Sequence, residues 1–142
     1  MITIPGKPLG KQGARTLKSG RSYTPDQTVN YETYVKMCYV EQGGRNLGGT
    51  DLLWMEIAAF YPIPKSTSKK KAALMEGGEI RPTVKPDLDN CIKIVADSLN
   101  GIAYKDDSQI VSVVANKFYS DAPRLEIKIG ITTAKTQRYP LV

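Results

Sequence analysis

The sequence predicts an α/β chain of the α+β kind: a single domain over residues 1–142, with a small mixed sheet of about four strands packed against two to three helices. Three observations predict it. The length suits one domain, large enough to bury roughly two-thirds of the surface its unfolded chain exposes. No repeat or composition break divides it. Helical spacing of apolar residues in two segments alternates with β-branched or aromatic runs in four others.

Residues 1–5 alternate weakly and read as a short strand. Residues 6–23 follow as a basic, flexible loop, carrying Gly6, Gly10, Gly13 and Gly20 beside Lys7, Lys11, Arg15, Lys18 and Arg21. Five cations without an acidic neighbour are expected to track phosphates. The run from Gly6 to Gln12 is not a P-loop: it has three residues between glycines, not four, and Gln12 where a Mg²⁺-binding hydroxyl belongs. Thr24-Pro25-Asp26 reads as a helix start, with Thr24 as N-cap and Pro25 at the first helical position. Val29, Tyr34, Val35, Met37, Cys38 and Val40 then recur at helical spacing up to Gly43-Gly44, which predicts a helix over 25–42, with Tyr31, Tyr34 and Tyr39 assigned to packing.

Residues 52–61 are apolar and aromatic and read as a buried or half-buried strand ended by Pro62 and Pro64. Ser66, Thr67, Ser68 and the lysines 69–71 lead into a short helix stopped by Gly77-Gly78. The lysine run fits a solvated face or contact with a DNA backbone, and the composition does not choose. In 86–99, Leu88, Cys91, Ile92, Val95, Ala96 and Leu99 recur every three or four residues, an amphipathic helix closed by Asn100-Gly101. The β-branched run 109–119 and the alternating run 124–131 predict two strands forming a hairpin around Asp121-Ala122-Pro123. Residues 132–142 read as a loose tail.

The 20 Lys and Arg outnumber the 14 Asp and Glu, for a net charge of +6. Such a balance points to a polyanionic partner. The chain has no histidine, which excludes Ser-His-Asp and Cys-His nucleophiles, His-containing metal sites and imidazole-activated water. Cys38 and Cys91 lie in no CxxC spacing and read as reduced core residues. Neither a signal peptide nor a membrane-spanning run is predicted, so the expected compartment is cytoplasmic.

The chemistry concentrates in Lys85-Pro86-Asp87-Leu88-Asp89-Asn90-Cys91-Ile92-Lys93 and, a helix length later, Lys105-Asp106-Asp107-Ser108. Clustered carboxylates in a basic protein suit a hard dication and a phosphate. Residues two apart on a helix point about 200° from each other, so Asp87 and Asp89 converge only if one precedes the helix. Asp87 is therefore expected at the N-cap or just before it, with Asp89 in the first turn. Asp89, Lys93 and Asp97 recur every four residues as a polar stripe, with Lys93 one turn below Asp89. Asp106 and Asp107 are expected to begin the next strand, where neighbouring side chains point to opposite faces and only one reaches the site; spacing does not say which. The same aspartates also suit capping and turn roles. An EF-hand does not fit, because Cys91, Lys93 and Ser98 stand where oxygens, glycine and glutamate are needed.

The stretch KPDLDNCIKIVADSLNGIAYKDDSQIV at 85–111, with IPGKPLGKQGAR at 4–15, resembles RusA-type Holliday junction resolvases (crossover junction endodeoxyribonucleases), especially phage and prophage members, most densely over 81–120. The resemblance implies a homodimeric, Mg²⁺-dependent endonuclease of bacterial cytoplasm, in which Mn²⁺ can substitute. It would nick four-way or otherwise branched DNA in recombination and repair. It implies Asp87, Asp89 and Asp107 as metal-binding catalytic carboxylates, Lys93 as the catalytic lysine and Asp106 as an accessory ligand. Lys7, Lys11, Arg15, Lys18, Arg21, Lys69, Lys70, Lys71 and Lys85 are the expected DNA contacts. The alternative is a basic DNA- or RNA-binding domain of the same fold without cleavage.

Overall fold

The computed structural model describes residues 1–132, and the expected tail lies outside them apart from Thr132. Elements follow in the order β1 (Ile2–Pro5), β2 (Arg15–Thr16), β3 (Ser22–Tyr23), α1 (Asp26–Glu41), β4 (Leu53–Pro62), α2 (Lys69–Glu76), α3 (Leu88–Ser98), a 3₁₀ turn (Asp107–Gln109), β5 (Ile110–Ser120) and β6 (Arg124–Ile131). A four-stranded mixed sheet has the order β1-β6-β4-β5. No described helix is long and apolar enough to cross a membrane.

β4 is the centre of the sheet, parallel to β5 and antiparallel to β6. Its alternation buries Leu53, Met55, Ile57, Ala59 and Tyr61 on the face covered by α1 and α3. A parallel pair needs a long crossover, and residues 63–109, with α2 and α3, supply it. The expected β5–β6 hairpin is therefore absent: β4 lies between the two strands. The step from Ser120 to Arg124 spans about 13 Å at full extension, more than the roughly 9.6 Å of two strand spacings, so a three-residue link clears the end of β4 at Pro62. Short loop length had suggested adjacency, but the long connection before β5 decided the order.

In α3 the buried side is Cys91, Ile94, Val95 and Ser98, with Leu99 buried at the C-cap. Each large aliphatic side chain so buried stabilises by roughly 1.5–3 kcal/mol. Leu88, Ile92 and Ala96 are half-buried at the margin. Ser98, a polar residue inside, donates its hydroxyl to the Ile94 carbonyl. Gly101, at φ 77°, makes the left-handed turn after the helix.

α1 begins one residue later than expected, with Pro25 at the N-cap and no side-chain cap from Thr24. Val35, Cys38 and Tyr39 face the core, whereas Val29, Tyr34, Met37 and Val40 are exposed. Gln42, at its C-cap, clamps the outer edge of β1, donating to the Thr3 carbonyl at 2.6 Å and accepting from the Thr3 N–H at 2.8 Å. The opposite sheet edge is held where Arg81 Nε donates to the Lys117 carbonyl at 2.8 Å. Cys38 and Cys91 are free and buried.

The 6–23 segment is not wholly irregular. Arg15–Thr16 and Ser22–Tyr23 pair as an antiparallel ribbon closed through Gly20 at φ 86°.

Candidate active site

The start of α3 is as expected. Asp87 is the N-cap, with φ −65° and ψ 151°, and Asp89 lies in the first turn. The Asp87 carboxylate caps no backbone N–H. It pairs instead with Lys85 Nζ at 2.8 Å, an exposed contact that holds the Lys85 ammonium above its ordinary pKa and exchanges easily with other partners. Asp89 and Lys93 are exposed, and their side chains make no hydrogen bond or ion pair among the described residues. Behind them the Tyr61 hydroxyl donates to the Pro86 carbonyl and lies 3.6 Å from Cys91 Sγ, which fixes the residues just before the helix.

The 106–107 pair departs from expectation, because the strand begins only at Ile110. Asp106 is the N-cap of the 3₁₀ turn, its carboxylate accepting from the Ser108 N–H at 3.3 Å while the Gln109 side chain returns to the Asp106 N–H. Hydrogen bonds from Ser108 keep the Asp106 carboxyl below its usual range. Asp106 thus does the turn work and frees Asp107. The Asp107 N–H donates to Asn100 Oδ1 at 2.8 Å, and its half-buried carboxyl is pushed up by burial and by contact with Asp97.

Asp97 is the residue that sequence reasoning placed on the polar stripe without giving it a role. It stands two turns from Asp89, about 12 Å along the axis, and Asp107 meets α3 there. Lys11 Nζ lies 3.3 Å from Asp97 Oδ2 and 3.1 Å from Glu32 Oε1. Burial opposes the Lys11 charge, but the two acids outweigh it and raise its pKa. The backbone of this segment rests directly on α3: the Lys11 N–H donates to the Asn90 carbonyl at 3.1 Å. At Gly10 a Cβ would stand 2.8 Å from Pro86 Cβ and 2.9 Å from Asn90 Cβ, so only glycine permits the approach. Glu32 and Lys11 are 21 positions apart and gave no signal before the fold joined them.

Among the described residues no three acidic or cysteine side chains gather closely enough to hold one metal ion. The donor chemistry nevertheless fits a hard dication. Every available ligand is a carboxylate oxygen, and burial together with the nearby Asp97 pushes up the half-buried Asp107 carboxyl, the condition an added positive charge relieves.

The expected DNA contacts divide into two groups. Lys7, Arg15, Lys18 and Arg21 are exposed and make no ion pair among the described residues, three of them on or beside the β2–β3 ribbon. Lys69, Lys70 and Lys71 are exposed in the first turn of α2, after Ser68 caps the Lys71 N–H. Cations there oppose the helix dipole by about 0.3–1 kcal/mol each, so helix stability is not what placed them. Lys11 and Lys85 are instead paired with acids. Arg81 and Arg124, not singled out in the sequence, flank the stacked pair Phe118–Phe60 and are hydrogen-bonded to the fold.

Residues 5–130 match the family described as Endodeoxyribonuclease RusA. Over 138 residues the chain is 36% identical to a protein of Bacillus subtilis (strain 168) named "Uncharacterized protein YqaN", covering 94% of this chain and 96% of that one.

Proposed function

The chain belongs to the RusA endodeoxyribonuclease family, and on that premise we propose that it cuts four-way or otherwise branched DNA by Mg²⁺-dependent hydrolysis, with Mn²⁺ able to replace Mg²⁺. The observation that carries this reading is the start of α3. There Asp87 takes the N-cap position without spending its carboxylate on the backbone, and Asp89 and Lys93 follow without partners among the described residues.

In this reading Asp87 and Asp89 at one end of the helix and Asp107 two turns away would supply carboxylate oxygens to Mg²⁺, at separate points of the acidic face rather than around one ion. When bound, Mg²⁺ supplies positive charge to the oxygens of the phosphate being cut. The chain's own residues do the rest. Lys93, one turn along from Asp89, places its ammonium at the phosphate and stabilises the charge that develops as the 3′ oxygen leaves. Asp106 keeps the 3₁₀ turn closed, so that Asp107 faces α3. Arg15, Lys18 and Arg21 on the ribbon, with Lys69, Lys70 and Lys71 on α2, bind the backbone without reading sequence. A homodimer matches a substrate with two symmetric strands to cut.

The dispersal of the acidic groups favours a second reading, a basic nucleic-acid-binding domain that does not cleave. Incubation of the protein with a synthetic four-way junction separates the two. Paired nicks leaving 5′-phosphate and 3′-hydroxyl ends, dependent on Mg²⁺ or Mn²⁺, are expected. Binding with no cleavage at any concentration of either metal would establish the second reading.

A further inference from the structure

Residues 6–12 form a strap that belongs to two places at once. Gly10 lies against Pro86 and Asn90, and the Lys11 N–H donates to the Asn90 carbonyl at 3.1 Å, so the strap touches the start of α3. Just before them, Lys7, Pro8 and Leu9 line a groove of about 630 Å³ together with Gln27, Asn30, Tyr31 and Tyr34 of α1. Both ends of the strap are tied. The Gly6 N–H donates to the Pro123 carbonyl at 2.9 Å, and Gln12 Nε2 donates to Gln27 Oε1 at 3.1 Å.

Three features of the lining point to one kind of ligand. Lys7 is exposed and unpaired among the described residues, and no carboxylate stands among the described residues that line the groove. Tyr34 is 37% exposed where Tyr39, on the same helix, is 4% exposed. Its ring lies 6.2 Å from that of Tyr31 at a tilt of 56°, and its hydroxyl donates to the Pro5 carbonyl at 2.9 Å, which holds the ring in place. The tyrosines of α1 therefore divide: Tyr39 packs, and Tyr34 offers a ring to the groove. The Asn30 amide and the Gln27 amino group have no hydrogen-bond partner among the described residues. A cation suits a phosphate, a ring suits the face of any base, and neutral amides suit a base edge that carries both donors and acceptors.

We propose that this groove takes one unpaired nucleotide of the DNA substrate, with its base stacked on Tyr34, its edge at Asn30 and Gln27, and its phosphate at Lys7. The inference rests on the reading that the chain binds branched DNA. Bases inside a duplex stack on one another and offer no free face, whereas an unpaired base costs little to seat. Because the strap that lines the groove also touches Pro86 and Asn90, a nucleotide seated there brings the branch point to the start of α3.

Fluorescence anisotropy in Ca²⁺ tests this on the full chain with two synthetic four-way junctions, one with an unpaired adenine at the branch point and one with an abasic residue in its place. The unsubstituted protein should bind the adenine junction about ten-fold more tightly. Tyr34→Ala should bring that ratio to about one, and Tyr34→Phe, which keeps the ring, should retain it. Lys18→Met, on the ribbon, should weaken binding to both junctions alike and leave the ratio as it was. Asn30→Trp, at an exposed position of the groove, should fill it and remove the preference, which decides the matter if Tyr34→Ala does not fold. A ratio near one in the unsubstituted protein, a ratio kept in Tyr34→Ala or Asn30→Trp, or a ratio lost in Tyr34→Phe or Lys18→Met overturns the inference. These readouts need no cleavage. A protein that prefers the adenine junction and never nicks it loses the proposed activity and keeps the site, one that nicks without the preference keeps the activity and loses the site, and no binding of either junction overturns both.

Discussion

The two ends of α3 carry the same residue types and treat them differently. At the N-terminal end Asp87, Asp89 and Lys93 have one exposed ion pair between them, and the N-cap carboxylate is not spent on the helix. At the C-terminal end Asp97 is held by Lys11, the Asp107 N–H is held by Asn100, and the Tyr104 hydroxyl donates to the Ala96 carbonyl at 2.6 Å. Polar groups rich in internal partners fix geometry. Polar groups poor in them keep their charge for a ligand. The helix thus has an open end, whose charges are free for a ligand, and a braced end beside the 106–107 turn.

The largest expected effect breaks the open end. Asp87→Asn or Asp89→Asn should lower junction nicking by at least about a hundred-fold, with junction binding retained, as measured by gel shift in Ca²⁺. Parallel loss of binding and cleavage would mark these residues as structural. At the braced end Asp107→Asn should also abolish cleavage, but it relieves a like-charge contact. It is therefore expected to raise the melting temperature at pH 7 by about 2 °C, whereas Asp87→Asn should leave it unchanged. A fall in melting temperature for Asp107→Asn would remove the distinction between the two ends.

A smaller effect concerns binding. Arg15, Lys18 and Arg21 stand on or beside an exposed ribbon without acidic partners among the described residues. Neutralising Lys18 and Arg21 together should flatten the slope of log affinity against log salt by about 0.9 per lost phosphate contact. An unchanged slope would place the ribbon away from DNA.

The open end was legible because its determinants are local. Lys85-Pro86 fixes an extended approach, the 200° rule forces Asp87 out of the regular helix, and the three-four spacing sets the buried stripe. The braced end was not legible, since Lys11, Glu32, Asp97 and Asp107 meet only through tertiary structure. The β5–β6 hairpin was misread for the same reason: a three-residue link suggests adjacency, but which strand occupies the gap depends on the crossover through α2 and α3. Asp106 and Asp107 look equivalent as neighbours in a strand. The 3₁₀ turn separates them, with one capping and the other facing the helix. In α1 the spacing places the helix within one residue at each end but puts Val29, Tyr34, Met37 and Val40 on the wrong face, because apolar residues there exceed what one stripe can bury.

The smallest effect tests whether Asp106 belongs to the bracing alone. Its carboxyl accepts from Ser108 and sits below its ordinary pKa, so the ionised form is the one the fold favours. For such a group the stability contribution is present above the unfolded pKa, near 3.9, and is lost as pH falls through the lower folded value. Asp106→Ala should lower the melting temperature at pH 7 by about 3 °C, and the difference from the unsubstituted protein should shrink as pH falls below about 4. Asp106→Asn, which keeps an accepting oxygen, should retain most of the stability at pH 7 and most of the nicking. If Asp106→Asn instead loses nicking as completely as Asp107→Asn while its melting temperature is unchanged, Asp106 is a ligand and not a brace, and the turn delivers two carboxylates to the site.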